Sequence, residues 1–124
     1  MKERKSTEDY LKAIYGIEAQ DGVHGSDIAK AMQVSRPTVS VALRALAQEG
    51  YVRIDEGRRV YLTEPGLEVA RDTCERNRFF RELLMELGVD QETAVRDACE
   101  LEHAVSPRSF SAMKAALGRR DESN

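Results

Sequence analysis

The stretch that decides the fold is SDIAKAMQVSRPTVSVALRALAQEGYVRIDEGRRVYL, residues 26–62. Ser26 is expected to cap a short helix whose apolar face is Ile28, Ala29 and Met32. Gln33-Val34 then turns the chain. Ser35 caps a further helix, with Pro37 in its first turn, where a missing N–H costs nothing. Val39, Leu43 and Leu46 recur at helical spacing and face inward, and Gly50 ends the helix. The period then changes from helical to alternating. Val52 and Ile54 alternate with Arg53 and Asp55; after Glu56-Gly57, Val60 and Leu62 alternate with Arg59 and Tyr61. This is a β-hairpin, with Gly57 expected to supply the turn geometry.

Outward from this stretch the chain is helical. Ser6-Thr7-Glu8-Asp9 opens a first helix, the hydroxyls and acids suiting its N-terminal end. Tyr10, Leu11, Ile14, Tyr15 and Ile17 follow at helical spacing until Asp21-Gly22 and Gly25 break it. His24, in that glycine-flanked loop, is expected to face solvent. Thr63-Glu64-Pro65 starts a long fourth helix that runs to about Leu87 and stops at Gly88. Asp90 caps a fifth, reaching about Val105. Ser106-Pro107 begins a sixth, expected to end at Gly118. Helix, short helix, turn, helix and hairpin, in that order, is the winged helix-turn-helix layout. The expected fold is mainly α with a small β-hairpin. A winged helix-turn-helix domain is expected over 1–63, a helical domain over 64–118, and a disordered tail over 119–124.

Composition bounds the alternatives. The chain has 124 residues, 41% of them hydrophobic and 6% aromatic, with no Trp and 33% charged. This suits helices with much solvated surface better than a sandwich or barrel. No apolar stretch approaches a membrane span, and the N-terminus, Met1-Lys2-Glu3-Arg4-Lys5, lacks the apolar core of a signal peptide. A cytoplasmic protein is expected, with Cys74 and Cys99 as reduced thiols rather than a disulfide framework. The formal net charge is −3, which by itself argues against nucleic acid. Its distribution reverses that reading. Residues 1–63 carry ten Lys/Arg against nine Asp/Glu; residues 64–124 carry nine against thirteen. The acidic excess lies in the second half, leaving the first free to meet phosphate.

The third helix is the candidate recognition helix, whose N-terminal residues point at base edges in a major groove. Those residues are Ser35, Arg36, Pro37, Thr38, Ser40 and Val41, with Arg44 one turn further. Hydroxyls and arginine are donors to bases or phosphates, and small side chains let a helix lie deep. Arg58 and Arg59 at the hairpin tip suit a phosphate or minor-groove contact. The competing reading is an ordinary capped surface helix. In the second half, Cys99, Glu102 and His103 stand at i, i+3 and i+4 and share one helix face. Thiolate, carboxylate and imidazole together suit a divalent transition metal. The competing reading of this triplet is a buried Cys beside a surface Glu–His pair. Cys74 and Asn77 share a face of the fourth helix.

These pieces together resemble the diphtheria toxin repressor family, and in length its manganese transport regulator branch. The resemblance covers nearly all of residues 6–118. It is carried by Thr7-Glu8-Asp9-Tyr10-Leu11-Lys12-Ala13-Ile14-Tyr15, Ser26-Asp27-Ile28-Ala29, Ser35-Arg36-Pro37-Thr38-Val39-Ser40, Leu62-Thr63-Glu64-Pro65-Gly66, Gly88-Val89-Asp90 and Ala98-Cys99-Glu100-Leu101-Glu102-His103-Ala104-Val105-Ser106. It implies a homodimeric, metal-activated repressor of metal-homeostasis genes that binds double-stranded operator DNA. The resemblance also implies one site of Asp9, Cys99, Glu102 and His103, holding Fe²⁺ or Mn²⁺, with Co²⁺, Ni²⁺ or Zn²⁺ as substitutes in vitro. Asp9 falls where the manganese branch has Asp; Cys99 falls where the iron branch has Cys. The family usually has His where Asn77 stands, and the manganese branch has Glu where Lys12 stands. Val41 replaces a Gln of the iron branch.

Three other functions compete. One is a metal-independent or thiol-sensing winged-helix transcriptional regulator. Another is a small metalloenzyme, which the sequence disfavours: it has no HExxH, no glycine-rich phosphate loop and no Ser/His/Asp set. The third is a winged helix used only for protein contacts. No enzymatic activity, membrane partner or small organic substrate is expected.

Overall fold

In the computed structural model the chain is described over residues 2–17 and 21–122, with side chains over 5–17 and 21–117. Its elements are α1 (Lys2–Ile17), β1 (Val23–His24), α2 (Gly25–Met32), α3 (Arg36–Gln48), β2 (Val52–Ile54), β3 (Arg59–Leu62), α4 (Glu64–Glu86), α5 (Gln91–Ala104) and α6 (Pro107–Glu122). They form two compact units, Met1–Cys74 and Glu75–Asn124, divided inside α4. None of the described helices is long and apolar enough to cross a membrane.

The first unit is a winged helix-turn-helix. Its core gathers Tyr10, Leu11 and Ile14 of α1, Ile28 and Ala29 of α2, Val39, Leu43 and Leu46 of α3, and Val52 and Val60 of the sheet. Those are the apolar positions that the helical and alternating periods select. The sheet is antiparallel in the order β1-β3-β2, with Val52 opposite Leu62 and Ile54 opposite Val60. The short β1 pairs Val23 with Val60 and His24 with Arg59. Two residues are too few to display an alternating pattern, so this strand is invisible in the sequence. His24 is solvent-facing as expected, but it lies in a strand.

Three local expectations are corrected. Helix α1 begins at Lys2, four residues before Ser6; Lys, Glu and Arg are good helix formers and extend the first turn. Helix α2 is preceded by His24, which makes no side-chain cap, so Ser26 lies inside the first turn instead of capping it. At the wing, Gly57 is not the residue in the left-handed region; Arg58 is, with φ 63°. Asp55 explains this. Its carbonyl accepts from the Arg58 N–H at 3.0 Å and its carboxylate accepts from the Arg59 N–H at 2.9 Å, so the positive φ falls at the fourth residue of the turn. Ser35 does cap α3, accepting from the Thr38 N–H at 3.2 Å.

The second unit packs Phe80, Ala98 and Phe110, with Phe79, Leu101, Val105 and Met113 around them. Phe79 meets Phe80 and Phe110 edge to face, at 5.3 and 5.4 Å between ring centres. Asp90 caps α5, accepting from the Thr93 N–H at 3.0 Å. Helix α6 runs through Gly118 to Glu122, since a single Gly weakens a helix without necessarily ending it; residues 123–124 of the expected tail lie outside the described residues. Of the apolar residues on α4, Ala70 and Phe80 are buried in the chain's own cores, while Leu87 remains 63% exposed.

The start of α4 explains Thr63-Glu64-Pro65-Gly66 physically. The Thr63 hydroxyl donates to the Gly50 carbonyl at 2.6 Å and accepts from the Gly66 N–H at 3.2 Å. The Thr63 N–H donates to the Tyr51 carbonyl. This draws Tyr51 so close that a Cβ on Gly66 would collide with its carbonyl oxygen. Backbone on backbone has no flexible end to yield. Gly66→Ala is expected to destabilise the chain by about 1–3 kcal/mol through overpacking, read as a lower urea midpoint at unchanged m-value.

Candidate functional site

Two sets of side chains stand out, one in each unit. In the first unit, burial of Val39, Leu43 and Leu46 turns the opposite face of α3 outward. Ser35, Arg36, Pro37, Thr38, Ser40, Val41 and Arg44 are all exposed. Val41 is 66% exposed. The Ser35 and Thr38 hydroxyls lie 2.7 Å apart, which fixes the helix entry.

The two arginines of the wing differ in their surroundings. Arg58 sits at the exposed turn. The Arg59 guanidinium instead donates to the Asp21 carbonyl at 3.0 Å, and the Tyr61 hydroxyl donates to the same oxygen at 3.1 Å. Arg59 therefore ties the wing to the segment before β1. Between α3 and the wing lies an open cleft of about 510 Å³. Arg36, Ser40 and Arg44 line it from one side and Arg58 from the other, and no carboxylate is among its lining residues. His24 and Ser26 also line it. Neither stood among the nucleic-acid candidates in the sequence, because only the pairing of β1 with β3 brings them to this surface. Three arginines, with no acid among the lining residues, give the cleft a basic lining of the kind a polyanion suits.

In the second unit, α5 buries Ala94, Ala98 and Glu102, spaced one turn apart. Glu102 is 1% exposed. Its Oε1 lies 3.4 Å from His103 Nε2, and the His103 side chain is itself only 7% exposed. Cys99 is half-buried. The reading of a buried Cys beside a surface Glu–His pair is thus inverted, since the Glu–His pair is the buried part. The Cys99 thiol accepts from the Asn77 amide at 3.8 Å. Asp9 belongs to the first unit, half-buried on α1, as is Lys12. A buried carboxylate and imidazole in close approach offer O and N donors that suit a divalent transition metal; the Cys99 thiol, one turn back, is not brought together with them.

Comparison with known proteins gives consistent matches to both halves. Residues 4–60 match the family model described as the iron dependent repressor, N-terminal DNA binding domain. Residues 63–124 match the iron dependent repressor, metal binding and dimerisation domain. The chain is 34% identical to the transcriptional regulator MntR of Salmonella typhimurium, over 90% of its own length and 72% of that relative. It is 33% identical to the iron-dependent repressor IdeR of Mycobacterium tuberculosis, over 82% of this chain and 45% of the relative. Among solved structures, a manganese-dependent transcriptional repressor in complex with manganese is 36% identical with a TM-score of 0.78. The match covers 90% of this chain and 52% of the other, so the chain spans about half the length of that solved protein.

The Arg59 N–H held by Asp55 keeps that carboxyl below the usual carboxylate range, with the Gly57 N–H and the Tyr61 hydroxyl helping. A depressed folded pKa contributes stability that is present above the ordinary carboxylate value and lost as pH falls through the depressed one. Urea midpoints measured from about pH 5 down to about pH 2 are expected to fall less steeply in Asp55→Asn than in the parent chain.

Proposed function

The chain belongs to the iron-dependent repressor family, and from that membership we propose that it is a metal-dependent transcriptional repressor that binds operator DNA as a homodimer. The family is not an enzymatic one. The observation that carries the reading is the buried Glu102–His103 pair on α5, within the residues matched by the metal-binding model. The acid-free cleft between α3 and the wing supports the DNA half of it.

Arg36, Thr38, Ser40, Val41 and Arg44 read the major groove, with Ser35 and Pro37 setting how α3 enters it. Arg58 contacts phosphate or the minor groove from the wing, while Arg59 holds the wing in place. Arg58→Ala is expected to weaken binding to all sequences alike and to reduce the slope of log K against log salt by about 1; a loss of sequence discrimination at unchanged slope would contradict this role.

Asp9, Cys99, Glu102 and His103 hold the ion, which is Fe²⁺ or Mn²⁺. When bound, it supplies the positive charge that lets two carboxylates and a thiolate share one site. Asp9 comes from the DNA-binding unit and the other three ligands from α5. Their joint ligation couples the recognition helices to the dimerising unit. The metal-loaded form must favour the DNA-competent arrangement, because equal affinity for both states shifts nothing. A coupling of about 1–3 kcal/mol is enough for a useful switch, and operator DNA then tightens metal binding by the same factor.

The test is operator binding measured with each candidate ion and with a chelator, on the parent chain and on Asp9→Ala. The parent chain binds only with metal. Asp9→Ala retains partial metal binding through Cys99, Glu102 and His103 yet loses metal-activated DNA binding. Chelator-insensitive binding by the parent chain would favour the metal-independent regulator instead.

A further inference from the structure

Arg76 has no place in the reading so far, yet it is a guanidinium buried to 4% exposure. Taking such a cation out of water is costly unless it is well partnered. Three of its contacts lie on the last turn of α5, the C-cap that follows it and α6. Arg76 Nη1 donates to the Val105 carbonyl and approaches the Glu102 carbonyl at 3.5 Å. The guanidinium lies over the Phe110 ring, 5.0 Å from its centre.

These partners answer a structural need. The last four carbonyls of a helix have no partner within it, and α5 lacks the left-handed glycine that usually satisfies them. Its C-cap, Val105, is extended, with φ −94° and ψ 130°. Both carbonyl contacts come from Arg76 Nη1, whose two N–H groups can face two carbonyls at once. Its positive charge also stands at the negative end of the α5 dipole.

The turn that Arg76 secures is the turn that carries Glu102 and His103. The Glu102 carbonyl and the Glu102 carboxylate share one Cα. Holding that peptide therefore limits how far Oε1 can move from His103 Nε2. The geometry points to Arg76 as a positioning residue of the metal centre, preorganising Glu102 and His103 from behind through the backbone of α5. Its neighbour on α4, Asn77, reaches the same helix one turn earlier, at the Cys99 thiol. Adjacent residues of α4 thus brace two turns of α5. This inference rests on the reading of Glu102 and His103 as metal ligands.

The experiment is calorimetric titration of Mn²⁺ and Co²⁺ into the full chain and into Arg76→Met, Arg76→Lys and Met113→Ala. Partners that orient metal ligands typically change affinity about 10–100-fold when removed. Arg76→Met is expected to weaken binding by that factor, and Arg76→Lys by less, since one charge remains. Met113→Ala trims the same core without touching the α5 carbonyls; it should lower the melting temperature and leave Kd unchanged. In the metal-free state, amide hydrogen exchange over residues 101–105 should quicken in Arg76→Met. A folded Arg76→Met chain with the parent's Kd overturns the positioning role, leaving the metal site itself intact. Where that variant does not fold, an unchanged Kd in Arg76→Lys overturns it equally. A parent chain that binds neither ion removes the metal site and this inference together.

Discussion

The burial of Val39, Leu43 and Leu46 is the constraint on which the first unit depends. Each such side chain contributes about 1.5–3 kcal/mol when withdrawn from water, and all three lie on one stripe of α3. Rotating the helix by one residue would expose part of that stripe and push charged side chains against the core. The helix therefore has one stable orientation, and that orientation turns Arg36, Ser40, Val41 and Arg44 to solvent. The wing is set by the same core, because Val52 and Val60 are buried in it to 3% and 1% exposure. Core packing and the exposed face of α3 are one structural decision seen from two sides.

The second unit makes a different compromise. Its apolar cluster is small, built on Phe80, Ala98 and Phe110. On the buried face of α5, the position after Ala94 and Ala98 is given to Glu102. A hydrophobic residue there would add to the core. Burying an ionised carboxylate costs several kcal/mol, a large share of the roughly 5–15 kcal/mol by which domains are stable. Arg76, on α4, adds a second buried ionisable side chain beside the last turn of α5. Two ionisable side chains at 1% and 4% exposure beside one small core lower what that core can contribute to stability.

Within the first unit, Thr63 links the sheet to the start of α4. Its hydroxyl, the Tyr51 carbonyl and Gly66 occupy a space in which no side chain fits at residue 66. The wing tip shows a milder strain. Arg58 adopts a positive φ that costs a non-glycine residue about 1–2 kcal/mol, and Asp55 holds the turn that imposes it.

Period and punctuation by themselves determined most of the architecture. Val39, Leu43 and Leu46, the Ser35 and Asp90 caps, and the alternation through Val52 and Val60 fixed helices, hairpin and order, because these signals act within a few residues. The spacing of Cys99, Glu102 and His103 likewise placed them on one face of a helix. Only the tertiary structure decided what depends on residues far apart. It added β1, brought His24 and Ser26 to the cleft, and separated Arg59 from Arg58 by giving Arg59 the Asp21 carbonyl, 38 residues away. It showed that Glu102 is buried, and that Arg76 secures the turn that bears it. Burial and long-range hydrogen bonds are properties of the packed chain, and no local pattern in the sequence encodes them.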